Sequence, residues 1–183
     1  MSSKISAVLR FSIVAWVAIT GQQAFGQAAP GAGTATNAPF TVLPIVPAFQ
    51  PIDPDIVASN EAAATEDAKR ARERTVAFSN ARKVLAGQIP CDDAGKKTLD
   101  AWYKGYFLPT FTSPETRGAL PEWRDTLINK DLRTARSPEA TAYLRGQVMT
   151  YMKAFAQSPP PKYNFHPAVR YNAMLVIGDL NAV

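Results

Sequence analysis

The chain contains one cysteine and one histidine in 183 residues. A single thiol, Cys91, excludes an intrachain disulfide, a multi-thiolate zinc or iron–sulfur site, and the Cys-x-x-Cys-His attachment of a c-type haem. A single imidazole, His166, excludes mechanisms that need two, and any Ser-His-Asp or Cys-His arrangement would have to be built on it. No phosphate-cradling glycine loop, G-x-S-x-G or H-E-x-x-H occurs. The one tight acidic pair outside helical surfaces, Asp92-Asp93, lacks calcium-loop spacing: Gly95 follows too early, and Lys96-Lys97 would repel a cation. The pair is better suited to capping a helix. No catalytic, metal-binding or cofactor-binding residue is therefore assigned. Charge of one sign is also scarce. Twenty basic residues stand against fifteen acidic ones and are interleaved with them, which does not build the one-sided basic face of a nucleic-acid binder.

Long apolar runs are missing too, apart from Phe11 to Ile19. That run is about half the length needed to span a bilayer. Lys4 and Arg10 precede it and the small residues of Ala24-Phe25-Gly26 follow, the pattern of a secretory signal peptide over residues 1–26. No twin-arginine pair and no cysteine just after the apolar core indicates a Tat route or a lipoprotein. The expectation is an exported protein, periplasmic or extracellular, that begins near Gln27 and keeps no stable membrane anchor.

Proline is plentiful, and unevenly placed. Residues 27–53 hold prolines at 30, 39, 44, 47 and 51, which forbid helix and interior strand. Phe40, Val42, Leu43, Ile45, Val46, Phe49 and Ile52 make this arm apolar for a linker. Three readings stand: the arm lies extended along its own domain, it is a disordered spacer, or Phe40, Leu43, Ile45 and Phe49 dock on a partner in polyproline II conformation.

From 54 to 183 the pattern is all-α, with about five helices in a bundle or at the start of an α-solenoid. A long helix is expected over 54–86, stopped by Gly87. Its seam of Ala64, Ala71, Phe78 and Leu85 repeats every seven residues and permits a coiled-coil homodimer. A second helix, near 92–107, carries Leu99, Trp102, Tyr103, Tyr106 and Phe107 on one broad stripe and ends at Pro109. A third opens at Pro121. Ser137-Pro138-Glu139 starts a fourth, with Leu144, Val148, Tyr151, Met152 and Phe155 on one face. Pro167 opens the last.

That last helix resembles one helix of a HEAT-type repeat. The resemblance covers residues 165–183 and rests on Pro167, Val169, Arg170, Ala173, Ile177, Gly178 and Leu180. HEAT proteins are mostly scaffolds that bind other macromolecules, so the resemblance implies an exported interaction module without catalysis. Its partner would be another protein, or a second copy, meeting Val169, Ala173, Ile177 and Arg170. The resemblance also implies that Arg170 bonds to a neighbouring loop or acid, for which Asp131 or a backbone carbonyl is available. The rival reading is a small exported enzyme or ligand carrier with Trp102, Tyr103 and Tyr106 lining a pocket beside His166.

Overall fold

The computed structural model describes residues 39–157 and 163–182. The expected signal peptide, the first part of the arm and the Ser158-Pro159-Pro160-Pro161 connection lie outside the described residues.

Local sequence signals account for most helix ends. Helix α1, Pro54–Ser59, starts where the Asp53 carboxylate accepts from Asp55 N at 2.9 Å. The helix expected over 54–86 is broken at Asn60, whose backbone is extended and whose Oδ1 accepts from Ala62 N and Ala63 N at 2.9 and 3.2 Å. An asparagine side chain that satisfies the first amides of a new helix favours a cap over continuation. Helix α2, Glu61–Leu85, follows, and Gly87 stops it at φ 74°.

Helix α3 spans 93–110 in three parts: α-helical Asp93–Trp102, a π-helical turn Tyr103–Phe107 and a final α-helical turn Leu108–Thr110. Asp92 caps it, accepting from Ala94 N and Gly95 N at 3.0 and 2.9 Å. Proline was expected to end this helix; instead Pro109 lies inside it. Pro109 has no N–H to give the Gly105 carbonyl, and Val46 N of the arm takes that carbonyl at 2.9 Å. The π turn, in which Leu108 N reaches back to Tyr103 O, absorbs the mismatch.

A 3₁₀ segment, Pro114–Ala119, leads into α4, which covers 120–132 as an α-helical start, Leu120–Asp125, and a π-helical end, Thr126–Leu132. Helix α5, Pro138–Gln157, has Ser137 Oγ accepting from Ala140 N at 3.2 Å. Helix α6, Pro167–Asn181, has His166 as its cap. The described residues thus form six helices and no strand, an all-α fold.

The core joins two layers. Helix α5 presents Ala140, Leu144, Val148, Met152 and Phe155 to the α6 stripe Val169, Ala173, Val176 and Leu180, and all nine are buried. Beside them, Leu99, Tyr103, Phe107 and Leu108 of α3 meet Leu120, Leu127 and Ile128 of α4 and the α2 end at Ala81, Val84 and Leu85. Burying one such leucine contributes about 1.5–3 kcal/mol. The face of the last helix set aside for a partner is covered from within the chain, because α5 supplies the apolar stripe that completes it. Val169 and Ala173 are wholly buried, Ile177 is half-buried, and Arg170 is exposed.

The arm packs on the same body. Thr41 N donates to Asn164 O and Leu43 N to Thr112 Oγ1, each at 2.8 Å. Phe49 is buried, Leu43 and Ile45 half-buried, and Phe40 exposed. Gly105 permits this close approach, since a Cβ there would sit 3.2 Å from Val46 Cγ2 and 3.3 Å from Phe49 Cε2.

Candidate functional site

Between α2, α3 and α4 runs an open groove of about 550 Å³. Its shape follows from side-chain size. Helix α2 lends it small residues, Ala71 and Thr75, with Arg74 and Phe78, while α3 and α4 face it with Trp102, Tyr106, Phe107 and Trp123. Small residues on one wall and large rings on the other leave a trough instead of a sealed contact.

The rings form a continuous run. Phe78 lies 5.1 Å from Trp102, Trp102 5.0 Å from Tyr106, and Tyr106 6.4 Å from Trp123, centroid to centroid. Phe107 closes the floor, 4.8 Å from Trp123. Arg74 stands with its guanidinium 5.9 Å over the Tyr106 ring and donates from Nη1 to Phe49 O at 2.8 Å. Glu122, exposed on the opposite rim, is in no ion pair among the described residues. The groove therefore offers π faces, one cation and one anion. Its lining holds no serine, cysteine, lysine or histidine.

The residues of the alternative enzyme or ligand-carrier pocket are not brought together. Trp102 and Tyr106 line the groove, but Tyr103 points into the core, where its hydroxyl donates to Asp131 Oδ2 at 2.8 Å. The helical turn separates them: along α3, residues 102 and 106 fall on the groove side and Tyr103 turns inward. His166 does not line the groove. Its Nδ1 accepts from Ala168 N at 3.2 Å, capping α6, and Phe40 meets its ring edge-on at 4.7 Å.

Asp131 and Tyr103 form a sealed polar pair. The Asp131 side chain is 1% exposed, with Arg82 Nε 4.0 Å from its Oδ1. Burial raises the carboxyl above the ordinary aspartate range, against the lowering effects of the Tyr103 hydrogen bond and the Arg82 and Lys130 charges. Burial, then the charge of Asp131, pushes the Tyr103 hydroxyl well above its ordinary range. The pair ties α3 to α4. Arg170 does not use Asp131; its Nε donates to Ala156 O at 3.3 Å. Burial also raises the Cys91 thiol, which holds it in the less reactive protonated form.

The heptad seam of α2 is divided. Leu85 is in the core, Phe78 packs on Trp102, Ala71 lines the groove, and Ala64 is half-buried. The sequence pattern places Phe78 in that seam and assigns Trp123 no role. It missed the groove because Phe78, Arg74, Trp123 and Glu122 come from two helices whose juxtaposition no local spacing reveals.

Among the described residues, no group of three or more His, Cys, Asp or Glu is placed to hold a metal ion, and no helix is long and apolar enough to cross a membrane. No protein family, curated protein sequence or solved structure gives a significant match to the chain.

Proposed function

We propose that this chain is an exported helical scaffold, a protein-interaction module without catalytic activity, whose binding face is the aromatic groove between α2, α3 and α4. The observation that carries the reading is the composition of that groove. Tyr106 and Trp123 are only partly covered, and Arg74 and Glu122 stand at its rim. Tryptophan, tyrosine and arginine are the residues that most often dominate binding energy at protein interfaces. An open trough suits a segment of a partner protein better than a small molecule, which sites usually enclose.

Two further features support the scaffold reading. Helices α5 and α6 pack along each other as a two-helix unit, and Arg170 reaches the carbonyl of Ala156 in the last turn of α5. That is a bond to a backbone carbonyl of the neighbouring helix, one of the partners considered for Arg170 under the HEAT resemblance. Export rests on the N-terminal sequence pattern. The partner surface moves from the last helix to the groove, because Val169 and Ala173 are interior.

The test is site-specific photo-crosslinking in the exported fraction of the source organism. A photoreactive residue at Thr75, on the groove wall, should give a discrete protein adduct that Trp123→Ala removes without unfolding the chain. The same residue at Thr150, on α5 and away from the groove, should give none. Equal labelling from both positions, or no adduct from Thr75, overturns the proposal.

A further inference from the structure

The one histidine of the chain sits where a helix cap and the arm meet. As the cap of α6, His166 holds a defined protonation state: its Nδ1 accepts from Ala168 N at 3.2 Å, so that nitrogen carries no proton. Its carbonyl takes the bond from Arg170 N at 3.1 Å. The same ring meets Phe40 of the arm at 4.7 Å between centroids, with 74° between the planes. Two residues earlier, Asn164 clamps the arm: Thr41 N donates to Asn164 O and Asn164 N to Thr41 Oγ1, each at 2.8 Å. Cap and clamp thus share the loop 164–166. The next bond along the arm is Leu43 N to Thr112 Oγ1, and Leu43 and Pro44 wall a cavity of about 510 Å³ together with Phe155, Tyr163 and Phe165.

A proton on His166 opposes this arrangement. Imidazole is the side chain whose charge ordinarily changes between about pH 5 and pH 8. Once Nδ1 carries a proton it is a donor and can no longer accept from Ala168 N. The new cation then stands at the positive end of a 15-residue helix. Among the described residues His166 is in no ion pair. The charged groups on the elements around it are Arg170 in the first turn of α6, Lys153 near the end of α5, and Arg117 and Glu115 of the 3₁₀ segment, with the phenols Tyr151 and Tyr163 beside them. Three of those four charges are basic, and the acid, Glu115, is bonded to Ser113 Oγ. The arm from 39 to 46 carries no charge. Arg117 already holds its guanidinium 5.8 Å over the Phe40 ring, so a charged His166 would place a second cation against the same ring.

We infer that His166 is a pH-sensitive latch on the arm: its protonation frees the leading end, residues 39–44, and opens the cavity walled by Leu43 and Pro44. From Val46 onward the arm stays in place, because Val46 N to Gly105 O and Arg74 Nη1 to Phe49 O do not involve the loop 164–166. The latch is independent of what the groove binds.

Amide hydrogen exchange of the full chain, corrected for the intrinsic pH dependence of exchange, tests this at about pH 7.5 and about pH 5. Protection at Thr41, Leu43, Asn164 and Ala168 should fall at least about fivefold at the lower pH, the scale of one lost helix cap. Val46 and Val148, on the retained arm and in the core, should keep theirs. His166→Asn supplies a capping acceptor that does not titrate, so protection at those four amides should be the same at both pH values.

Unchanged protection of Thr41 and Leu43 in the wild-type chain overturns the inference. So does an equal fall in His166→Asn, which would assign the effect to another group. A fall confined to Ala168 would make His166 a titrating cap with no hold on the arm, and a fall that extends to Val148 would be general acid unfolding; either result overturns the latch.

Discussion

Trp102 and Tyr103 are adjacent in the chain, yet they meet different fates. Tyr103 is 1% exposed, bonded to Asp131 and packed against Phe107 at 5.6 Å between ring centroids. Trp102 and its companion one turn on, Tyr106, face a groove whose α2 wall is Ala71, Arg74, Thr75 and Phe78. The aromatic stripe of α3 is therefore two surfaces. On the inner one the rings are structural because α4 brings matching leucines and a buried acceptor. On the outer one Trp102 is buried against Phe78, and Tyr106 is left only partly covered beside the small Ala71 and Thr75 of α2. Ring chemistry alone does not separate core from binding site; the volume of the neighbour does.

The largest expected effect breaks this comparison at its buried side. Phe107→Ala should destabilise the fold by about 3–5 kcal/mol, whereas Tyr106→Ala should take about 1–2 kcal/mol, as read from urea midpoints at constant slope. Equal losses would mean that the outer rings are core after all. Tyr103→Phe should cost about 1–3 kcal/mol, because it leaves the buried Asp131 carboxylate without its donor.

A third expectation concerns pH. The folded-state pKa of Asp131 is raised by burial, so its contribution to stability is fully present below the unfolded aspartate value, about 3.9, and is lost as pH rises through the folded value. Wild-type stability minus that of Asp131→Asn should therefore decline as pH increases from about 4. A difference that grows with pH over that range would show the carboxylate to be net stabilising. The smallest effect sharpens the outer side. Thr112→Val removes the acceptor of Leu43 N and should cost about 1 kcal/mol, seen as faster hydrogen exchange at Leu43 with core amides unchanged.

Much of the fold is legible residue by residue. Asp92, Ser137 and Pro167 mark helix starts, and Gly87 marks a stop, because capping and backbone freedom act over one turn. Asn60 and Pro109 depart from their local signals for opposite reasons. Asn60 looked like an ordinary surface residue in an unbroken charged helix, and its capping bond shows only once the chain has turned. Pro109 has the local signature of a terminator, yet a contact between residues 59 apart in the chain, Val46 N to Gly105 O, takes up the carbonyl that the proline cannot serve.

The candidate site was legible in part. Trp102 and Tyr106 were singled out as possible pocket residues, but they were grouped with Tyr103 and His166. A stripe spaced at i, i+3, i+4 does not say where along its width the core ends, and His166 is as well suited to a cap as to a base. Arg74, Phe78, Glu122 and Trp123 could not be gathered by any motif, since they lie on α2 and α4.

By itself the sequence determined an all-α domain, the starts and stops of its main helices, the amphipathic stripes of α5 and α6, and the lack of any thiol or imidazole constellation for chemistry. These follow from interactions within a few residues and from composition. Only the tertiary structure decided that α5 covers the last helix, that the proline-rich arm lies on its own body, and that one side of α3 is sealed while the other stays open. Those outcomes depend on which volumes meet across the core, and a one-dimensional pattern holds no record of that.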